Sequence, residues 1–257
     1  MRFDTHAHAL LTRKASFDLE VFHDYIGHAR QSGLDAMALT EHFNGPDWYR
    51  MMSMIDSAHT TVGDHWEIEG VKVFPGMEID IAEHGHTLVF GPFDEVMRIR
   101  RGLDGHTEET TFISAAGLVD LVGDGGAMLV GAHPFRPSRN LQAVPEDVLA
   151  GFTAFDLNAK DLVRVGRHII ELTNGLGGRL GIPVIAGGDS HQRFQLGSVW
   201  SRFEQPLDTV AELRTAIRAG AYEIEVSPAI DVKVEAGQAM KKLLKRIAVL
   251  EGESWAS

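Results

Sequence analysis

Apolar positions in this 257-residue chain fall into two kinds of run that alternate from one end to the other. Compact runs of Val, Ile, Leu, Phe and Ala read as buried strands. Longer stretches with apolar residues about every three or four positions read as helices. The first compact run surrounds Phe3 and ends in Thr5-His6-Ala7-His8. A helix over 18–33 follows: Asp18 suits its N-cap, Leu19, Phe22, Ile26 and Ala29 form one face, and Gly33 suits its stop. Further strands are predicted at 35–39, 71–81 (broken by Pro75-Gly76), 87–90, 127–132, 152–157, 183–186, 198–203 and 222–226. Further helices are predicted at 46–58, 114–122, 160–180 and 207–219. A last helix over 236–250 has Met240, Leu243, Leu244 and Ile247 at helical spacing and Lys241, Lys242, Lys245 and Arg246 opposite. It reads as a helix docked by its apolar face, with the basic face in water. No repeat, low-complexity tract or linker divides the chain, so a single domain over 1–257 is expected.

Strands alternating with helices predict parallel β/α architecture. In a parallel barrel every strand's C-terminal end opens on one face, so residues distant in sequence meet there. The residues at those ends are His6 and His8, His42, Glu78, His86, His133, Asp189 and His191. Alternate residues of a strand share a face, so His6 and His8 can reach one ion from one side. Asp189 and His191 repeat that spacing, after two glycines that permit close backbone approach.

Composition narrows the chemistry. The chain has no cysteine, which excludes disulfides, thiolate metal sites and a cysteine nucleophile. Any metal must be held by His, Asp and Glu, and such a sulfur-free set suits Zn²⁺ first, with Mn²⁺ or Fe²⁺ as alternatives. The formal charge of -12 argues against long nucleic acid as a partner. The N-terminus has no signal-like apolar block and no run approaches the ~18 apolar residues of a membrane span, so a cytoplasmic protein is expected.

Six motifs in order resemble the polymerase and histidinol phosphatase (PHP) domains over about residues 3–191. They are Asp4-Thr5-His6-Ala7-His8, Leu39-Thr40-Glu41-His42, Gly76-Met77-Glu78, His86-Thr87-Leu88, Gly131-Ala132-His133-Pro134 and Gly187-Gly188-Asp189-Ser190-His191. The resemblance implies a distorted (β/α)₇ TIM-like barrel with two or three divalent metal ions at the C-terminal ends of its strands. It further implies that His6, His8, Glu78 and Asp189 hold the first ion, Glu78, His86 and His133 the second, and His42 and His191 the third. The chain departs from many trinuclear relatives at Leu10-Leu11-Thr12-Arg13-Lys14, which offers no His or carboxylate to that third position. His84 competes with His86 for the same role; His86 is preferred because it abuts the Thr87–Phe90 apolar run. His23, His28, His59, His65, His106 and His168 fall away from strand ends and read mostly as surface residues.

The implied activity is hydrolysis of a small phosphorylated substrate by a metal-bound hydroxide. Asp189 or His191 would relay the proton and Arg136 would neutralise phosphate charge, with Arg139 and Arg193 as lesser candidates. Asn158 either meets substrate or caps the following helix. Gly175-Leu-Gly-Gly-Arg-Leu-Gly181 has the wrong spacing for a dinucleotide loop and reads as a turn. Two alternatives stand beside this reading. An amidohydrolase or lactonase would usually add a bridging lysine after a middle strand, where only Lys160 is available. A non-catalytic PHP module would be expected to have lost ligands.

Overall fold

The structure is a computed structural model, and it describes residues 1–124 and 126–252. In chain order the elements are β1 Arg2–Ala7, α1 Leu19–Gln31, β2 Ala36–Leu39, α2 Trp48–Ala58, β3 Thr61–Val62, β4 His65–Ile68, β5 Val71–Asp80 and β6 His86–Phe90. Then come α3 Phe93–Gly102, α4 Ala115–Val122, β7 Met128–Ala132, α5 Glu146–Leu149, β8 Ala154–Asn158, α6 Ala159–Val165, α7 His168–Leu180 and β9 Val184–Gly187. The chain continues through β10 Val199–Phe203, α8 Val210–Arg218 and β11 Tyr222–Val226, and the described part ends in α9 Ile230–Glu251.

The sheet runs β11-β10-β1-β2-β5-β6-β7-β8-β9. It curls until the chain after β9 meets the end of β1: Asp189 N–H donates to His6 C=O at 2.7 Å and His8 N–H to Ser190 C=O at 2.8 Å. β1, β2, β5, β6, β7, β8 and β9 are therefore the staves of a nearly closed TIM-like barrel. The staves are not all parallel, as strand-helix alternation alone predicts. β6 runs antiparallel to both β5 and β7. His86 thus stands at the start of its strand, yet on the same rim as the C-terminal ends of the others. β10 and β11 extend β1 outward as an antiparallel flap.

The barrel interior is plugged by Phe3, Phe74, Leu88, Phe90, Val130 and Ile185, with Phe3 set edge-on to Phe74 at 5.5 Å and to Phe90 at 5.8 Å. Intervening residues such as Met37, Val73, Met77, Val89 and Leu129 face outward under the helices. Strand alternation carries the inward face from this apolar plug up to the rim. On β5 it passes from Phe74 to Glu78, on β6 from Phe90 and Leu88 to His86, and on β8 from Ala154 to Asp156 and Asn158. β1 needs a correction to that rule. Its register against β2 shifts between Asp4 and Ala7. The irregularity turns Ala7 to the outer layer although Phe3, of the same parity, faces in. His6 and His8 are thereby aimed at the interior, as bulges near functional sites do.

Several predicted elements differ. Pro75-Gly76 does not break β5; it is where the strand changes partner, from β2 through Pro75 to β6 from Gly76. Pro lacks an N–H, and its free carbonyl accepts from Gly91 at 2.9 Å. The helix expected over 160–180 is two helices, because Gly166 leaves the first in a conformation with φ of 72°. Residues 175–180 are helical within α7, and the turn comes only at Gly181. The β3–β4 hairpin, α3 and α5 are additional. The last helix starts at Ile230 and docks through Val234, Gly237 and Ala248, not through its predicted apolar stripe: Leu243 and Ile247 are exposed.

Candidate metal centre

Glu78 is the hub of the rim. Its Oε1 lies 2.7 Å from His86 Nδ1, 3.3 Å from His133 Nε2 and 3.5 Å from His6 Nε2. Its Oε2 lies 3.1 Å from His42 Nδ1 and 3.5 Å from His8 Nε2. Asp189 Oδ1 stands on the other side, 3.9 Å from His6 Nε2, 3.6 Å from His8 Nε2 and 3.5 Å from His191 Nδ1. Ligand atoms close to within 4.8 Å of one another in three groups: His6, His8 and Asp189; Glu78, His86 and His133; and His8, His42 and His191. Every residue assigned to a metal from the sequence is brought to this rim. His86 joins the cluster, whereas His84 is exposed in the preceding turn with φ of 62°.

The spacing fits cations. Donors held ~2.0–2.1 Å from a tetrahedral ion are themselves ~3.3–3.4 Å apart, the range of many distances above. His6 Nε2 and His8 Nε2 face each other at 3.2 Å. Both Nδ1 atoms have carboxylate acceptors: His6 Nδ1 donates to Asp156 Oδ2 at 3.0 Å and His8 Nδ1 to Glu41 Oε1 at 3.3 Å. Burial opposes a charge on His6, yet without metal Glu78, Asp156 and Asp189 hold His6 well above the ordinary imidazole range; once that proton is displaced, both Nε2 atoms can turn lone pairs to a shared cation. Asp156 and Glu41 are buried; Glu41 stands in the Leu39–His42 motif with no role assigned to it there, and Asp156 stands outside the motifs. The available signal was a carboxylate inside an apolar run, Phe155-Asp156-Leu157, because a buried charge needs a partner.

Charge balance around the hub is tight. Burial alone would raise Glu78, but the imidazoles of His86, His6 and His42 and the bond from His133 hold it well below the usual carboxylate range. Burial opposes ionisation of Asp189 too, and Arg136, His6 and His191 outweigh it. Burial and the nearby Arg136 pull His133 down to about 3. Burial also lowers His86, yet Glu78 and the Asp80 bond carry it up to about 9. Burial pushes Asp4, which accepts from Gly188 N–H at 2.7 Å and His6 N–H at 3.0 Å, up to about 7. Two rim residues sit in the left-handed region, His133 with φ of 32° and Asp189 with φ of 52°. Such strain in side-chain-bearing residues concentrates at functional sites. Gly187 makes room for this layer, since a Cβ there would overlap Asp156 Oδ1.

The arginines depart from expectation. Arg136 is buried and its guanidinium is consumed by the protein: NH1 donates to Asp189 Oδ2 at 2.8 Å, Nε to Asp161 Oδ1 at 3.1 Å and NH2 to Asn158 Oδ1 at 2.8 Å. It orients Asp189 and is not presented to a phosphate. Asn158 caps α6 while bridging Arg136 and Asp156. Arg139 is half-exposed at the mouth, its Nε 3.7 Å from Asp80. Arg193 pairs with Asp24 at 3.2 Å on the flank. Of the remaining histidines, His65 is fully buried and donates to Asp208 at 3.1 Å, and His23 meets His59 at 2.9 Å.

Comparisons with known proteins bear on the fold and on the class of chemistry. A family model described as PHP-associated matches residues 177–222, the stretch holding β9, Asp189 and His191. A probable phosphatase of Shewanella frigidimarina is 27% identical over 229 residues, covering 80% of this chain and 83% of that protein. A probable phosphatase of Enterobacter sp. strain 638 is 26% identical over 225 residues, covering 76% and 80%. PsfC from Pseudomonas syringae shares the fold with a TM-score of 0.77 at 20% identity, over 95% of this chain and 98% of its own. The lesion-specific endonuclease PfuEndoQ from Pyrococcus furiosus shares it with a TM-score of 0.63 at 20% identity, over 87% of this chain and 57% of its own. With the motifs assembled on one rim of that barrel, the chain is similar in fold to PsfC, in sequence to proteins named probable phosphatases, and over residues 177–222 to the PHP-associated family model.

Proposed function

We propose that this chain is a metal-dependent phosphoester hydrolase acting on a small phosphorylated substrate, with the barrel and its C-terminal helix working as one unit. The observation that carries the reading is Glu78, a buried carboxylate within 3.5 Å of five imidazoles. A structural role needs one or two partners for such a carboxylate, whereas a bridging role between cations needs this many donors around it. The relatives named probable phosphatases support phosphoester chemistry.

His6, His8, Glu78 and Asp189 would hold one ion, and Glu78, His86 and His133 a second. His42 and His191 would serve a third with His8 shared, and without a donor from 10–14 this third position is the weakest. The donor set suits Zn²⁺ first, then Mn²⁺ or Fe²⁺. Such ions, when bound, polarise phosphoryl oxygens and lower the pKa of bound water toward ~7. The chain's own residues do the rest. Arg136 fixes Asp189 so that Oδ1 faces the cluster. His191, packed on His8 with ring centroids 4.1 Å apart, sits where the rim meets solvent and is placed to pass a proton outward. Arg139 and Lys160 supply positive charge at the mouth. The lysine-bridged amidohydrolase alternative finds no bridging strand lysine at the rim among the described residues: Lys160 lies in the first turn of α6, and Lys72 of β5 is bound to Asp208.

The test is hydrolysis of p-nitrophenyl phosphate after exhaustive chelation. Turnover should fall to background and return on adding Zn²⁺ or Mn²⁺. Full turnover by metal-free protein would overturn the reading.

A further inference from the structure

A cavity of about 500 Å³ opens directly beside the cluster, with His191 in its wall. Its other walls come from distant parts of the chain: Leu10, Phe17 and Phe22 from the segment after β1, Phe194 from the turn after β9, and Met240 and Leu244 from α9. These side chains are apolar and three of them are rings. The walls are tied together. Arg193 lies over the Phe194 ring at 5.6 Å and bridges to Asp24 of α1, and the Tyr25 hydroxyl donates to Ser190 C=O at 3.3 Å. α9 is pinned by Lys233 Nζ, which donates to Leu196 C=O at 2.7 Å, and by Gly237, which lies against buried Gln195. Gln195 Oε1 in turn accepts from His191 N–H at 3.0 Å. The cavity is preformed and of small-molecule size.

A pocket with an apolar body that opens on a polar cluster fits a ligand with the same two ends.

We propose that this cavity is the leaving-group pocket, taking the planar aromatic ring carried by the group esterified to the phosphate that the cluster holds. The proposal rests on the phosphoesterase reading above and names its substrate class. In the reaction the oxygen of water forms the new P–O bond and the P–O bond to the ring-bearing group breaks. One proton of that water ends on the departing oxygen. Two sources share this chemistry, a nucleoside monophosphate and a simple aryl phosphate.

Metal-loaded protein should hydrolyse phenyl phosphate or adenosine monophosphate with kcat/KM at least about tenfold above that for ring-less glycerol 3-phosphate, the discrimination an apolar pocket supplies. Whichever ring substrate leads identifies the source. Met240→Trp and Leu244→Trp, which fill the cavity, should bring that ratio toward one while circular dichroism and metal content match the parent protein. Equal turnover of glycerol 3-phosphate, or a ratio unmoved by both variants, overturns the proposal. Titration calorimetry with phenylphosphonate and adenosine separates this failure from that of the parent reading. Phosphoester hydrolysis without ring binding overturns the pocket alone. Ring binding lost in Met240→Trp, with no phosphoester hydrolysed, supports the pocket and overturns the activity.

Discussion

At the scale of single residues, the rim separates groups that would touch cations from groups that aim them. The aiming groups carry testable weight. Asp156→Asn keeps the shape beside His6 Nδ1 but removes the negative charge that fixes its tautomer; such changes lower metal affinity or activity by about 10–100-fold. Metal titration of the variant followed by phosphatase assay checks this, and wild-type affinity would show that His6 needs no such partner. Arg136→Ala should do more harm to the fold than to phosphate binding, because it leaves Asp189 and Asp161 buried without their cation. Removing one partner of a buried pair costs about 3–5 kcal/mol, read as a loss in urea unfolding of the metal-free protein. A raised KM with unchanged stability would instead return Arg136 to the substrate. The candidate ligands were legible in the sequence because they recur at strand ends in family motifs. Asp156, Glu41 and the occupied state of Arg136 were not, since a lone carboxylate or arginine does not reveal which side chain it will meet.

At the scale of elements, hydrophobic pattern located the staves but not their direction or partners. Nothing in Thr87-Leu88-Val89-Phe90 says that β6 runs against its neighbours; that follows from the short turn at 81–85, too brief for a parallel crossover. Likewise Met240, Leu243, Leu244 and Ile247 suggested the docking face of α9, while the true contact is made where Gly237 lets the backbone approach Gln195. Gly237→Ala would place a methyl against Gln195 Cγ, behind the residue that accepts from His191 N–H. Overpacking of this kind costs about 1–3 kcal/mol. It should lower thermal stability and loosen the third metal position before the other two. Undiminished stability and metal content would mean that α9 docks elsewhere. A second contact, Asp208 with Lys72 and His65, ties the loop before α8 to β4 and β5. The bond from Lys72, then that from His65, hold Asp208 below its ordinary value. Its contribution is therefore present above the unfolded carboxylate pKa and lost as pH falls through the lower folded one. Asp208→Asn should flatten the acid limb of the melting temperature against pH, with little effect on activity at neutral pH.

For the whole molecule, the barrel's closure is where stability and metal binding meet. β1 and the chain after β9 are joined by only a few backbone bonds near Ala7 and Ser190, and His6, His8, Asp189 and His191 flank that seam. A cation held by donors from both sides would act as a clasp across the last gap in the sheet. Ligands that bind only the folded state stabilise it by RT ln(1 + [L]/Kd), about 4 kcal/mol at a thousandfold excess over Kd. For a chain this long each kcal/mol moves the melting temperature by about 2–4 °C. Chelated protein should therefore remain folded, since the apolar plug is intact, yet melt on the order of 10 °C earlier. Hydrogen exchange should rise first at His8 N–H and Asp189 N–H, the donors across the seam. The gap between loaded and chelated protein should narrow in acid, because protons compete with metal for the same imidazoles. An identical melting curve with and without chelator at neutral pH, in protein shown to have carried metal, would mean that the cations sit in a barrel already closed without them.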